Sequence, residues 1–178
     1  MIKYVIFDID DTLVSNPDFN TLFPKEDTRE SWDKYYQLID YHKYVKINKN
    51  MVELVKLLAT KYIILFVTSR ENVPNTPIED YTYNTLHDMF GDNMQYYNPD
   101  DNTKHLQANN VIVFRLFMRG YNDFRPSSDV KEDLFLLHGF NPHDIVAVYD
   151  DNIDNIKMFQ KYKINTNLIT LGDNNEDL

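Results

Sequence analysis

The first group of residues able to do chemistry is Asp8-Ile9-Asp10-Asp11-Thr12. Carboxylates two residues apart on an extended chain point the same way and repel each other. Proteins accept that cost mainly for a cation, a shared proton or a reaction. In isolation, Asp-x-Asp is as often a solvated turn, because Asp and Thr favour turns and caps. Thr68-Ser69-Arg70 sets hydroxyls beside a guanidinium, a combination that suits a phosphate as well as a helix cap. Lys131 falls in the expected first turn of a helix, where the macrodipole disfavours a cation by about 0.3–1 kcal/mol, so an anion should lie nearby. Asp150-Asp151 again crowds two carboxylates together. Carboxylate groups at both ends of the chain, with one ammonium and one hydroxyl between them, make up the inventory for magnesium-assisted phosphoryl transfer through an aspartyl-phosphate.

These residues work together only if the fold brings them to one rim. Residues 2–7 read as a short apolar strand that stops where the aspartates begin. Tyr62–Val67, Val111–Phe117, Ile145–Tyr149 and Asn167–Leu171 have the same β-prone character. Helical patterns lie between them: Thr28–Tyr41, a stretch capped by Asn50 with Met51, Leu54, Val55 and Leu58 on one face, and Thr82–Phe90. Asp129-Val130-Lys131-Glu132 has capping-box spacing and opens a further helix that closes near Gly139. Ile153, Ile156 and Phe159 share the last helical face. Alternating strands and helices predict a Rossmann-like α/β fold, a parallel sheet with helices on both faces. In such sheets ligands bind beyond the carboxyl ends of the strands, where each of these polar groups falls.

Composition bounds the rest. The chain has 178 residues and no cysteine, which excludes disulfides and thiolate metal sites. Its formal net charge of −10 argues against a general nucleic-acid coat, since affinity for polyphosphate comes largely from Lys and Arg. No apolar run approaches the ~20 residues of a membrane span, and no secretory leader is read at the start. A cytoplasmic protein without membrane association is expected. Sparse glycine (4) beside 13 tyrosines and 11 phenylalanines resembles translation from an A/T-rich, viral or phage genome. His42, His87, His105, His138 and His143 show no metal-ligand spacing.

In this order the motifs resemble the haloacid dehalogenase superfamily of aspartate-nucleophile phosphatases. Asp8-Ile9-Asp10-Asp11-Thr12 is similar to its first motif, Thr68 to its second, Lys131 to its third and Asp150-Asp151 to its fourth. A closer resemblance is to the 3′-phosphatase half of phage polynucleotide kinase-phosphatases. It is carried by Ile47–Leu54, Thr68-Ser69-Arg70-Glu71, the run from Arg119 through Arg125 to Glu132, and Ala147–Asp151. The resemblance implies that Asp8 attacks phosphorus and that Asp10 handles the proton. It implies Mg²⁺ between Asp8, the Asp10 main-chain carbonyl and Asp151, with Asp150 close by. Thr68 and Lys131 would hold the phosphoryl oxygens, while Ser69, Arg70, Arg119 and Arg125 would meet the phosphate or the nucleic-acid end. Departures occur at Asp11 and Ser69, where the family usually has glycine, and at Ser127, where it has an acidic residue. No phosphate-binding kinase loop of the Gly-x-x-x-x-Gly-Lys-Ser/Thr type occurs in the sequence.

The expected organisation is one phosphatase domain over residues 1–178, with small lid-like insertions at about 15–47 and 71–110 instead of a folded cap. An open site of this kind admits a polymer end. Trp32, Tyr35, Tyr36, Tyr121 and Phe124 are candidates for stacking bases or for packing, and Arg115, Arg119 and Arg125 for a local basic strip. The substrate expected is a phosphorylated nucleic-acid end or a nucleotide. The alternatives are a 5′(3′)-deoxyribonucleotidase or another small-molecule phosphatase, a receiver-like phosphate-binding module, and a degenerate member that only binds. A receiver expects its phosphorylated aspartate on a later strand than its acidic pair, whereas here Asp-x-Asp opens the chain.

Overall fold

Val5, Ile6 and Phe7 of strand β1 (Tyr4–Phe7) are all buried, as befits a central strand covered on both faces. The computed structural model describes residues 2–17, 19–23, 28–40, 46–72, 78–97 and 111–170. Strands β2 (Val14–Ser15) and β3 (Lys46–Ile47) form a small antiparallel pair. Strands β4 (Ile63–Glu71), β5 (Met94–Tyr96), β6 (Ile112–Arg119), β7 (Ile145–Asp150) and β8 (Thr166–Leu168) join β1 in a parallel sheet of order β5-β6-β4-β1-β7-β8. The chain first builds outward from β1 on one side and then returns to its other side. That reversal makes the carboxyl end of β1 the switch point where a crevice opens.

Helices α1 (Phe19–Leu22) and α2 (Arg29–Asp40) follow β2, and α3 (Lys49–Ala59) leads into β4. Helices α4 (Ile78–Phe90), α5 (Ser127–Leu137) and α6 (Ile153–Lys161) make the later crossovers. On one face Val5, Phe7, Ile64, Phe66 and Phe114 pack against Met51 and Val55 of α3 and Leu86 and Phe90 of α4. On the other, Ile6, Leu65, Val67 and Val148 meet Phe135 of α5 and Phe159 of α6. Each large side chain so buried contributes about 1.5–3 kcal/mol relative to exposure. Alternation along β1 and β4 thus separates the two layers of core, as period-2 patterning requires.

Several local expectations move. The cap of α3 is Asn48, which accepts a hydrogen bond from the Met51 amide at 3.3 Å and donates through Nδ2 to the Thr12 carbonyl at 3.1 Å. Asn48 thereby ties the first acidic loop to α3, a link that Asn50 does not make. Helix α5 starts at Ser127, before the capping-box residues, because the Pro126 carbonyl already accepts from the amides of Asp129 and Val130. Lys131 therefore stands in the second turn. Helix α4 begins at Ile78 and is a core crossover, and the edge strand β5 was not legible in a polar stretch. The last strand ends at Leu168, and Leu171 lies outside the described residues.

Candidate active site

The sheet register brings the acidic loops together. Phe7 pairs with Phe66 on one side and Tyr149 on the other, so Asp8 continues β1 level with Val67 and Asp150. The Asp8 amide donates to the Tyr149 carbonyl at 2.9 Å. Asp8 also continues the parity of Ile6, whose face is covered by α5 and α6. Beyond it the chain turns tightly, and the Ile9 carbonyl accepts from the amides of Leu13 at 2.8 Å and Val14 at 3.1 Å. Asp11, at the usual glycine position, adopts φ +55°, a left-handed conformation that Asp tolerates better than most residues.

One half of the site is crowded with negative charge. Lys131, 1% exposed, places its ammonium 2.9 Å from Asp8 Oδ1 and 2.7 Å from Asp150 Oδ2. Asp150 Oδ1 accepts from the Asn152 amide and from Asn155 Nδ2, both at 2.9 Å. Asp8, Asp150 and Asp151 can each turn an oxygen to within 4.8 Å of the others. Burial pushes the Asp8 carboxyl well above the usual carboxylate range; Lys131 opposes this, and Asp150 and Asp10 add to it. Burial and the charge of Asp150 likewise raise Asp151, whose carboxyl hydrogen-bonds to Asp8. Burial alone would lower Lys131, but Asp8 and Asp150 outweigh it and raise it. Two carboxylates thus face one ammonium, and a third, that of Asp151, hydrogen-bonds to Asp8 with no cation of its own among the described contacts. A proton or a cation must lie between such groups, and an oxygen-only cluster suits a hard divalent ion such as Mg²⁺.

The other half is balanced. Asp10 Oδ1 accepts from Arg70 Nη2 at 2.8 Å and Nε at 3.1 Å, and also from Asn16 Nδ2. Asp10 Oδ2 accepts from Arg70 Nε at 3.0 Å and Thr68 Oγ1 at 3.3 Å. Burial would raise the Asp10 carboxyl, but the charge and hydrogen bonds of Arg70 hold it below the ordinary range. This carboxylate lies outside the Asp8–Asp150–Asp151 cluster, which leaves only the Asp10 main-chain carbonyl for the ion contact implied above.

The sheet also explains why Arg70 points inward. Pairing of β4 with β6 runs from Thr68↔Met118 directly to Glu71↔Arg119, so Ser69 and Arg70 are extra residues on the β4 side. Arg70 is 2% exposed, and its Nη1 also reaches Thr82 Oγ1 on α4 at 3.4 Å.

The remaining expected substrate contacts are engaged with the protein itself. Ser69 Oγ pairs with Ser127 Oγ. Arg119 donates to the carbonyls of Ser69 at 3.0 Å and of Asp123 and Arg125 at 2.7 Å, bracing the loop after β6. Arg125 forms ion pairs with Asp123 and Asp133, and Arg115 stacks over Phe117 at 4.7 Å. The expected basic strip is therefore neutralised at Arg125 and turned to structural contacts at Arg115 and Arg119. Trp32 packs edge-on against the buried Tyr35, whereas Tyr121 and Phe124 stand exposed. The Tyr36 side chain, His42 and His105 lie outside the described placements.

Sequence reasoning had no role for Asn16, Asn48, Thr82 or Asn155. Asn155 had one usable signal: it lies one helical turn beyond the Asp150-Asp151 strand end, and it is buried. Asn48 had the local signal of a helix cap three residues before Met51, whereas Asn16 and Thr82 carry no such pattern.

With this geometry in hand, the comparisons are informative. Residues 2–174 match the family model of the polynucleotide kinase PNKP phosphatase domain. No curated protein matches the chain. Among solved structures, a chain of the Pnkp1/Rnl/Hen1 RNA repair complex superposes with a TM-score of 0.62 at 17% identity, over 97% of this chain and 43% of that one. Another structure of the Pnkp1/Rnl/Hen1 complex gives 0.58 at 19% identity, over 96% and 47%. The present chain thus spans less than half the length of those two. A HAD family enzyme from Bacteroides thetaiotaomicron in its magnesium complex gives 0.55 at 15% identity, over 98% of this chain and 96% of that chain. At these identities the structural matches speak for the fold, an α/β sheet of haloacid dehalogenase type. The family match covers almost the whole sequence, the acidic loops included: the chain belongs to the PNKP phosphatase-domain family of the haloacid dehalogenase superfamily.

Proposed function

We propose that this protein is a magnesium-dependent phosphomonoesterase that removes 3′-phosphate from nucleic-acid ends. The observation that carries the chemistry is the contrast at the rim: a cluster of three carboxylates with one ammonium, that of Lys131, on two of them, beside an Asp10 paired with its own guanidinium. The family match supports the choice of substrate class, and so does the fold shared with chains of an RNA repair complex.

In this reading Asp8 is the nucleophile. A carboxylate oxygen forms a bond to phosphorus as the bond from phosphorus to the leaving oxygen breaks, giving an aspartyl-phosphate. Asp10, ionised in the resting site, relays the proton of a monoanionic phosphomonoester to the departing oxygen; later it takes a proton from the water that cleaves the acyl phosphate and yields it to the product phosphate, so the enzyme returns to its starting state. Thr68 and Lys131 bind the phosphoryl oxygens and reduce the repulsion between Asp8 and an anionic substrate. Asp8, Asp150 and Asp151 would hold Mg²⁺, which supplies charge neutralisation at the phosphoryl group and keeps Asp8 ionised. Residues 1–178 act as one phosphatase unit in the cytoplasm; of the insertions expected at about 15–47 and 71–110, helix α4 belongs to the core, and residues 24–27, 41–45, 73–77 and 98–110 lie outside the described residues. Among the rim aromatics with described side chains, the exposure of Phe124 and Tyr121 supports a role for them in stacking on a base.

A phosphate-release panel tests this reading: 3′-phosphorylated DNA and RNA oligonucleotides, the 5′-phosphorylated counterparts and free nucleotides, each with and without Mg²⁺. Preference for the 3′-phosphorylated oligonucleotides, lost on chelation, is expected. Preference for free nucleotides would overturn the substrate, and full turnover without a divalent ion would overturn the metal.

A further inference from the structure

The resemblance to known phosphatases places Arg70 on the substrate, and the structure places it elsewhere. Its Nε and Nη2 fork onto Asp10, and its Nη1 is braced by Thr82 on α4. It is nearly wholly buried, and it arrives there through the two extra residues of β4. A forked guanidinium holds a carboxylate by two parallel bonds and so fixes the plane of the acceptor as well as its place. Thr68 and Asn16 complete the grip on Asp10. We infer that Arg70 is a positioning residue that orients Asp10 for proton transfer, and is not a phosphate ligand.

The physical case rests on what proton transfer requires. A donor or acceptor must sit within about 2.6–3.2 Å of its partner in a productive pose, and such positioned acid–base groups contribute about 10²–10⁴-fold to rate. An unbraced Asp10, two residues from Asp8 at the head of a turn, would swing toward solvent or toward the ion. The opposite pull of Arg70 separates the two acidic side chains: Asp8 turns to Lys131, and Asp10 turns to Arg70. This inference rests on the proton-handling role proposed for Asp10, and the test is arranged so that the two can fail separately.

The experiment is a double-mutant cycle, with kcat and KM measured by phosphate release from glycerol 2-phosphate, whose alkoxide leaving group needs a proton, so that the outcome does not depend on which nucleic-acid end is natural. The four proteins are the wild type, Arg70→Ala, Asp10→Asn and the double variant, each with Mg²⁺ saturating. If Arg70 acts through Asp10, Arg70→Ala lowers kcat by about 10²-fold or more. KM then stays within about threefold, and the double variant is no slower than Asp10→Asn alone. Losses that multiply, or a raised KM with kcat retained, would show that Arg70 contacts substrate independently and would overturn the inference alone. Wild-type turnover by Asp10→Asn would remove the proton-handling role itself, and the inference with it. Should Arg70→Ala fail to fold, Arg70→Lys carries the test: the charge is kept but the fork is lost, so kcat falls about tenfold with KM unchanged. A raised KM with kcat intact in that variant overturns the inference.

Discussion

The two halves of the site are built from the same residue type and handle it in opposite ways. Around Lys131, Asp8 and Asp150 share one ammonium, Asp151 crowds against them, and the carboxyls of Asp8 and Asp151 are pushed up. Around Arg70, a single carboxylate has its own guanidinium, and Asp10 is held low. Only the first arrangement is short of positive charge, so only the first suits a cation. The second is internally neutral and suits a group that must stay in one orientation. Placing both within three residues of chain lets one loop serve the proposed nucleophile and the proposed proton carrier. What separates them is which element supplies the counter-charge: α5 for Asp8, and the irregular end of β4 for Asp10.

The largest expected effect comes from removing the proposed nucleophile. Asp8→Asn should abolish turnover while far-UV circular dichroism and thermal melting show an intact fold. Because it relieves crowding among carboxylates, the ion-free variant should melt no lower than the wild type, and residual phosphate release on a clean preparation would refute the assignment of Asp8.

The next effect sets the two halves directly against each other. Asp10→Asn strands a buried guanidinium and should cost about 3 kcal/mol in urea unfolding without Mg²⁺. Asp151→Asn, made in the crowded half, should instead leave ion-free stability unchanged or raise it by up to about 1 kcal/mol, with Mg²⁺ affinity by calorimetry weakened about tenfold or more. Equal destabilisation by both substitutions would erase the distinction drawn between the halves.

The pH dependence sharpens the same point. Asp8 and Asp151 are raised on folding, so their contribution to stability is present below the unfolded carboxylate range and is lost as pH rises through the raised values. Asp10 is lowered, so its contribution is present above the unfolded range and is lost as pH falls through its folded value. Ion-free protein should therefore melt at lower temperature at neutral pH than just above the ordinary carboxylate range. Saturating Mg²⁺, which binds the ionised carboxylates, should flatten that decline. A melting temperature that climbs steadily to neutrality without the ion would contradict the crowded half.

The smallest effect concerns the turn that joins the two halves. Asp11→Gly removes the side chain from a left-handed residue but adds freedom to the unfolded chain, so a gain of at most about 1 kcal/mol is expected in urea titrations. A loss above that size would mean that the Asp11 carboxylate, which accepts from the Asn16 amide at 3.3 Å, matters more than the backbone conformation.

Much of this was legible before the fold. Apolar runs marked the strands β1, β4, β6 and β7, because a parallel strand covered on both faces is apolar along most of its length; Asp8 follows β1 and Asp150 ends β7, whereas β4 runs on past Thr68 to Glu71. Elements with weaker local signals were not legible. Strand β5 pairs only at an edge, and β2 and β3 are two residues each, so neither carries a period that can be counted. The start of α5 was misjudged because Asp129 mimics a cap while Pro126 supplies the accepting carbonyl.

The order of the polar groups along the chain was enough to determine the kind of chemistry, since carboxylates, a hydroxyl and an ammonium at strand ends have few other uses in combination. Which cation meets which carboxylate was decided by the tertiary structure alone. Lys131 reaches Asp8 because α5 covers the face that Asp8 shares with Ile6, and Arg70 turns to Asp10 because β4 carries two residues more than β6 can pair. Sequence spacing records neither fact: both depend on register between strands far apart in the chain, and a shift of one residue there reverses the face on which a side chain lies.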